Sequence, residues 1–404
     1  MNRGTAGKGE IRLMIQDRIE LYKRISDFLF AAFRWGCMDS PAGQEPKPTG
    51  LMIDLLEYQR LNHPLYGTYC SIQGRTERGS SLLDYPPLPV ECFKRADLCP
   101  FAPEKCVAEF HSSGTTEGVR SIHKFCDPGL MQRSQIYAFS MLTGRRISQQ
   151  TRILSLMPSY ESNPHSSLGY MISSFVKAFG APGSGHFFSI EKGLDVDGLC
   201  TQIEDAAAHE APVHLMGPAF AYVELLDRLG DRHFTSAPGS CLLETGGYKG
   251  KSREIPRHEL RDMLSQKLGI ERRAVYGEYG MCELSSQAYE ISALNTPGDL
   301  PEEGLFIFPN WMRCILFNPE NMSPVLPGNE GQIALFDLCN LDSAAYILTG
   351  DVGTLVSLNE SLRSKVPGHP KYALRLKGRA ENAVPKGCSM AWEEWARSSA
   401  ARMQ

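Results

Sequence analysis

A chain of 404 residues, 42% apolar and 22% charged, has the composition of an ordinary soluble globular protein and room for one large domain with appendages or for two. Its formal charge of -4 comes from interspersed signs with no basic block, which excludes the electrostatic footprint of a nucleic-acid binder or a polybasic membrane anchor and leaves small molecules and proteins as expected partners. Twelve cysteines at irregular intervals, no Cys-x-x-Cys and no signal-peptide pattern read as reduced thiols in a cytoplasmic protein, mostly small buried hydrophobes.

Residues 1 to 9 carry no pattern and are expected to be disordered. From Ile11 to Phe33, apolar residues keep helical spacing, so one amphipathic helix is expected, covering the edge of its own core or docking on a partner. Cys37 to Thr49 reads as a loop and Leu51 to Leu61 as a second helix, ended by His63-Pro64. Tyr85-Pro86-Pro87-Leu88-Pro89 is a rigid extended approach to a run of hydroxyls and glycines at 111–121. Asp127-Pro128 then starts a helix over Leu130 to Leu142. Strands at Arg152 to Met157, Val213 to Met216, Cys241 to Glu244 and Arg273 to Tyr276 alternate with helices at Ala219 to Leu229 and His258 to Leu268. That rhythm predicts an α/β fold, a parallel sheet flanked by helices, with ligands beyond the strand carboxyl ends. After Glu302 come mainly strands, at Leu305 to Phe308, Arg313 to Phe317, Gly331 to Asp337, Tyr346 to Leu348 and Thr354 to Leu358. The expected organisation is an N-terminal helical extension (1–50), an α/β core (51–300), a smaller β-rich lobe (301–378) and a short tail (379–404).

Four stretches carry chemistry. In His111-Ser112-Ser113-Gly114-Thr115-Thr116-Glu117-Gly118-Val119-Arg120, glycines let backbone N–H groups turn toward an anion, hydroxyls add donors and Arg120 neutralises charge, which describes a polyphosphate cradle without the P-loop spacing. Tyr279-Gly280-Met281-Cys282-Glu283 puts an aromatic face, a tight turn and a carboxylate on one expected loop; the ring can stack on a purine and Glu283 can hold magnesium. Thr349-Gly350-Asp351-Val352-Gly353 reads as a Gly-rich turn whose carboxylate can accept from both ribose hydroxyls. Lys377-Gly378-Arg379 supplies a further cation. Separately, each has a structural alternative: Tyr279 as core aromatic, Asp351 as turn-former, Arg379 as solvated charge.

Their order resembles that of the adenylate-forming superfamily: phosphate loop at Ser112 to Arg120, adenine loop at Gly246-Gly247, then Tyr279 to Glu283, Thr349 to Asp351, and Gly378-Arg379. Within it, the chain looks like the acyl-protein synthetases of bacterial bioluminescence, the LuxE family. The residues carrying that likeness are the phosphate loop, Met157-Pro158-Ser159-Tyr160 with Ser166-Ser167-Leu168, Gly217-Pro218, Thr245-Gly246-Gly247-Tyr248-Lys249 and Lys386-Gly387-Cys388, over roughly residues 52 to 392. Two positions depart: Glu117 stands where glycine is usual, and Cys282 where threonine is.

The resemblance implies ATP and Mg²⁺, a fatty acyl-AMP intermediate, and transfer of the acyl group to Cys388 and on to a partner reductase or acyl carrier protein. Only 25 residues follow Arg379, too few for the mobile domain of full-length acyl-CoA ligases, so a two-conformation coenzyme A ligase is not expected. Lys386 beside Cys388 would favour its thiolate. Two other readings stay open: a ligase loading a carrier protein or amine directly, and a non-catalytic nucleotide-binding regulator. Met157, Tyr170, Phe175, Phe187 and Phe188 are candidates for an acyl site or for core.

Overall fold

The computed structural model describes residues 8–37, 45–112, 120–144, 151–246, 255–293 and 303–379. Ser113, Gly114, Thr115, Thr116, Gly118, Gly247 and Cys388 therefore lie outside the described residues. The N-terminal periodicity yields one helix, Lys8–Cys37, with Leu21, Ile25, Leu29 and Ala32 buried. It covers the molecule's own core: Phe33 stacks on Tyr137 of helix Gly129–Leu142 at 4.3 Å, and Arg18 forms a two-pronged ion pair with Asp342 at 2.6 and 2.7 Å. Helix Thr49–Asn62 stops where His63 turns extended ahead of Pro64. The same proline then opens a helix that was not foreseen, Pro64–Ile72, because Pro is favourable at a first helical position.

Among the described residues the strands follow in chain order: β1 Leu88–Pro89, β2 Ala108–His111, β3 Ile122–Phe125, β4 Arg152–Ser155, β5 Gly185–His186, β6 Phe188–Ser189, β7 Gly193–Leu194, β8 Val213–Pro218, β9 Cys241–Thr245, β10 Val275–Tyr279, β11 Ala288–Glu290, β12 Leu305–Ile307, β13 Met312–Phe317, β14 Glu330–Asp337, β15 Tyr346–Ser357 and β16 Tyr372–Arg379. One mixed sheet runs β13-β14-β15-β16-β12-β11-β10-β9-β8-β4-β5, with β1 beside β15, while β2-β3 and β6-β7 are separate two-stranded ribbons. The segment β5-β4-β8-β9-β10 is parallel, and its helices supply the expected crossovers. The antiparallel strands after residue 303 continue this sheet through β11 and β12. Helices Ser167–Phe179 and Val196–Ala208 were not anticipated, although each has a readable start: Ser166 and Asp195 accept hydrogen bonds from the Gly169 and Gly198 N–H groups. No helix among the described residues is long and apolar enough to cross a membrane.

Two expectations are corrected. The strand foreseen at 273–276 starts at Val275, since Arg272–Ala274 closes a 3₁₀ turn, and it runs on through Tyr279; Tyr279 is a strand residue, not a loop residue. The Thr349 to Gly353 stretch is no turn, because the strands at 346–348 and 354–358 are one, β15. Its glycines signal close strand approach instead: a Cβ at Gly353 would lie 2.7 Å from Leu374 and 2.8 Å from the Arg375 carbonyl, beside a register shift against β16.

Candidate active site

Register places three carboxyl ends in line, Pro218 of β8 against Thr245 of β9 and Thr245 against Glu278 of β10, which is the edge where open α/β sheets hold ligands. Gly246 follows at φ +64°, a left-handed conformation that glycine adopts without penalty, with open space where a Cβ would stand. Backbone can turn there and a ligand can come close.

Tyr279 ends β10 with its ring packed against Phe306 and Phe308, 8% exposed. Its hydroxyl donates to Asp351 Oδ2 at 2.8 Å. Asp351 is held in turn from its own strand, where its N–H donates to Thr349 Oγ1 and the Thr349 hydroxyl donates to the Ile333 carbonyl. Arg379 lies directly opposite on β16, mostly exposed, with Nε 3.9 Å from Asp351 Oδ1. Burial pushes the Asp351 carboxyl above its ordinary value, while the Tyr279 hydrogen bond and the Arg379 charge work the other way. This is a carboxylate with one oxygen engaged and lone pairs to spare.

Of the hydroxyl and glycine run, the described residues 111–112 and 120–121 belong to the β2-β3 ribbon or adjoin it. Its neck is closed reciprocally, the Ser112 N–H donating to the Ser121 carbonyl and the Ser121 N–H to Ser112 Oγ at 2.9 Å. Arg120 is exposed at the returning strand. The His111 N–H donates to the His165 carbonyl and the two imidazoles stack at 4.2 Å, which lays the segment before helix Ser167–Phe179 alongside the ribbon.

Glu283 is 5% exposed and faces this neck. Burial raises its carboxyl above the ordinary value; the buried Ser121 hydroxyl, Lys94 and Arg379 oppose that rise. A carboxylate so desolvated and without a full ion pair is a donor suited to a hard cation, so the residues fit a magnesium ion. Gly280 separates it from Tyr279, and the backbone between is held from both sides: His123 Nδ1 donates to the Cys282 carbonyl, and Asn340 Nδ2 donates to the Glu283 carbonyl. His123 accepts from the Ser343 hydroxyl at Nε2, so it carries its proton on Nδ1, and burial lowers its pKa to about 4. Sequence reasoning passed it over; the signal was its inward place in the alternation of β3.

The structure thus brings Ser112 and Glu283 to one locus and Tyr279, Asp351 and Arg379 to another, with the Arg379 charge felt by both carboxylates. Among the acyl-site candidates, Phe175 is core: it is fully buried against Phe139 at 5.0 Å. Tyr170 packs on Phe110 at 5.2 Å, and Met157, Phe187 and Phe188 are half-buried.

The fold recurs in solved structures. Crystal structures of 2-hydroxyisobutyryl-CoA ligase superpose on 85% of this chain and 69% of theirs at TM-score 0.59 and 14% identity in the thioesterification state with 2-HIB-AMP and CoA. In an open conformation with the same ligands, they do so on 83% and 75% at TM-score 0.55 and 12% identity. The fold is that of the adenylate-forming ligases. No family model matches the sequence. Over its length the chain is similar to the long-chain-fatty-acid–luciferin-component ligase of Vibrio harveyi, 19% identical over 386 residues that span 94% of this chain and 95% of the relative.

Proposed function

We propose that this chain is an AMP-forming ligase that activates a carboxylic acid, a fatty acid, as acyl-AMP, hands the acyl group to the thiol of Cys388, and delivers it to a reductase or acyl carrier protein. The observation that carries the reading is the Tyr279–Asp351 hydrogen bond at the carboxyl end of β10, a half-buried carboxylate with Arg379 opposite it and an oxygen left for a ribose hydroxyl. The likeness to the luciferin-component ligase supports the acid class and the acyl-protein product.

In the first half-reaction an oxygen of the acid attacks the α-phosphorus of ATP and the bond to pyrophosphate breaks. Gly246 and Gly247 give the base close access to backbone, Asp351 orients the ribose, and Ser112, Ser113, Gly114, Thr115, Thr116 and Gly118 with Arg120 receive the charge that builds on pyrophosphate. Magnesium, held in part by Glu283, would supply further neutralisation of the phosphates. In the second half-reaction the Cys388 thiolate attacks the acyl carbonyl and AMP leaves with the anhydride electrons.

Acid-dependent exchange of labelled pyrophosphate into ATP, run with a panel of acids, tests the first half; hydroxylamine-sensitive labelling of the protein by radiolabelled acid plus ATP tests the second. Cys388→Ser is expected to keep exchange near wild type and lose the label. Exchange without any label on wild-type Cys388 would replace the acyl-cysteine step with direct transfer to an external acceptor. No exchange with any acid would leave a nucleotide-binding regulator.

A further inference from the structure

The β2-β3 ribbon is four residues a side and stands apart from the main sheet, and a lone two-stranded ribbon of that length is marginal by itself. One end of it is closed by Ser112 and Ser121. Its other end is where three sulfurs converge: Cys106, two residues before β2; Cys126, directly after β3; and Cys99, from the segment that precedes both. All three are free thiols, their sulfur atoms lie within 4.8 Å of one another, and Cys99 Sγ is 3.5 Å from Cys106 Sγ. Zinc–sulfur bonds of about 2.3 Å at tetrahedral angles put ligand sulfurs about 3.8 Å apart, so this triangle has the dimensions of three corners of a zinc tetrahedron.

We propose that Cys99, Cys106 and Cys126 bind a thiophilic divalent cation, zinc, with the fourth position left to water, and that the ion clamps the base of the phosphate-loop ribbon. The proposal does not rest on the nucleotide reading of the site. Three further features suit it. The Phe101 N–H points at the Cys99 sulfur, the usual partner of a metal-bound thiolate. Zinc with three thiolates carries one net negative charge, and Lys124 and Arg18 stand beside the group, near Cys106 and Cys126 respectively. Cys106 also opens into a cavity of about 270 Å³ lined by Lys124, Glu109, Tyr160 and His165, which gives an ion a way in. The sequence spacing concealed the group, because no pair of these cysteines has the short separation of a zinc motif and the chain's turns alone bring them together.

The test is metal analysis of the full-length protein purified without chelator and reloaded with zinc, together with cobalt substitution. One zinc per chain is expected, and cobalt should give the intense visible bands of a tetrahedral site with a thiolate charge-transfer band in the near ultraviolet. Cys106→Ser and Cys126→Ser should each weaken zinc binding by roughly 100-fold or more. Three outcomes overturn the proposal: substoichiometric zinc with only a pale octahedral cobalt spectrum; full zinc binding retained in both variants; or a wild-type mass two hydrogens light that reduction restores, which would make Cys99–Cys106 a disulfide. Should the serine variants fail to fold, the wild-type stoichiometry and cobalt spectrum decide the matter.

Discussion

Tyr279→Phe isolates one atom of the Tyr279–Asp351 locus. The ring stays against Phe306 and Phe308, so packing is kept, and only the hydroxyl donated to Asp351 Oδ2 at 2.8 Å is lost. A hydrogen bond to a charged group is worth about 1.5–3 kcal/mol; Asp351 is 20% exposed, so water can replace part of it and the lower end applies. If Asp351 holds the ribose, ATP should then bind about tenfold more weakly. The hydroxyl also favours the ionised carboxylate, and without it the already raised Asp351 pKa climbs further. With a raised folded pKa, Asp351 contributes stability that is present below its ordinary value and lost as pH rises through the folded value; in the variant that window moves up. The ATP deficit should therefore grow as pH falls. Titration calorimetry with ATP and 2′-deoxy-ATP, on wild type, Tyr279→Phe and Asp351→Ala, reads all of this. The reasoning fails if wild type binds both nucleotides equally and Tyr279→Phe binds ATP as wild type does.

Glu283→Gln should shift the magnesium dependence of pyrophosphate exchange to higher concentration; an unchanged titration would mean that phosphates and water alone hold the metal. The same substitution removes a buried charge whose folded pKa is raised, so the ligand-free variant should melt above wild type near neutral pH, and the gap should close as pH falls toward the ordinary glutamate value, as followed by calorimetry. Arg261 is fully buried between Glu244 at 3.0 Å and Glu290 at 2.8 Å, so Arg261→Met leaves two buried carboxylates with only the more exposed Arg257, at 3.3 and 3.7 Å, and should cost about 3 kcal/mol in urea unfolding. Arg120→Ala should lower exchange and acyl labelling together while moving unfolding by no more than about 0.5 kcal/mol, because the side chain is exposed.

Periodicity made the long elements legible. Helix Ala219–Leu229 and the strands at 213, 241, 305 and 330 fall within a residue or two of expectation, because each buries one continuous face. Glycine misled at β15, where a ladder on both sides holds Gly353 extended against its local preference for turns and the strand runs on through Gly350. That error had a chemical consequence. As a turn residue Asp351 would project freely, whereas as a strand residue it faces Arg379 across one rung and meets the Tyr279 hydroxyl, a contact between residues 72 apart in the chain that no local pattern encodes.

What fixes the Glu283 backbone relative to the β2-β3 ribbon is the least legible stretch of all, the polar residues from the end of β14 to the start of β15. Asp337 accepts from the Ser285 and Ser286 N–H groups at 2.9 and 2.7 Å, Asn340 holds the Glu283 carbonyl, and Ser343 holds His123, which in turn holds the Cys282 carbonyl. Asp342 takes both Arg18 from the N-terminal helix and the Cys126 N–H beyond β3. Gln59 secures the loop from beneath, donating to the Asn340 carbonyl and accepting from the Ala345 N–H. Such a run of Asp, Asn and Ser reads as a solvated turn, yet Asp337, Asn340, Asp342 and Ser343 are all buried, and each is satisfied by a group from a distant part of the chain. Because one stretch grips both the β2-β3 ribbon and the backbone that presents Glu283, the placement of that carboxyl against the ribbon is set by buried hydrogen bonds. Buried polar groups that lose one partner cost about 1–3 kcal/mol each, so displacing the Glu283 backbone from the ribbon would break several at once. On the proposed function, the Glu283 carboxyl is thereby held in place before any ligand arrives.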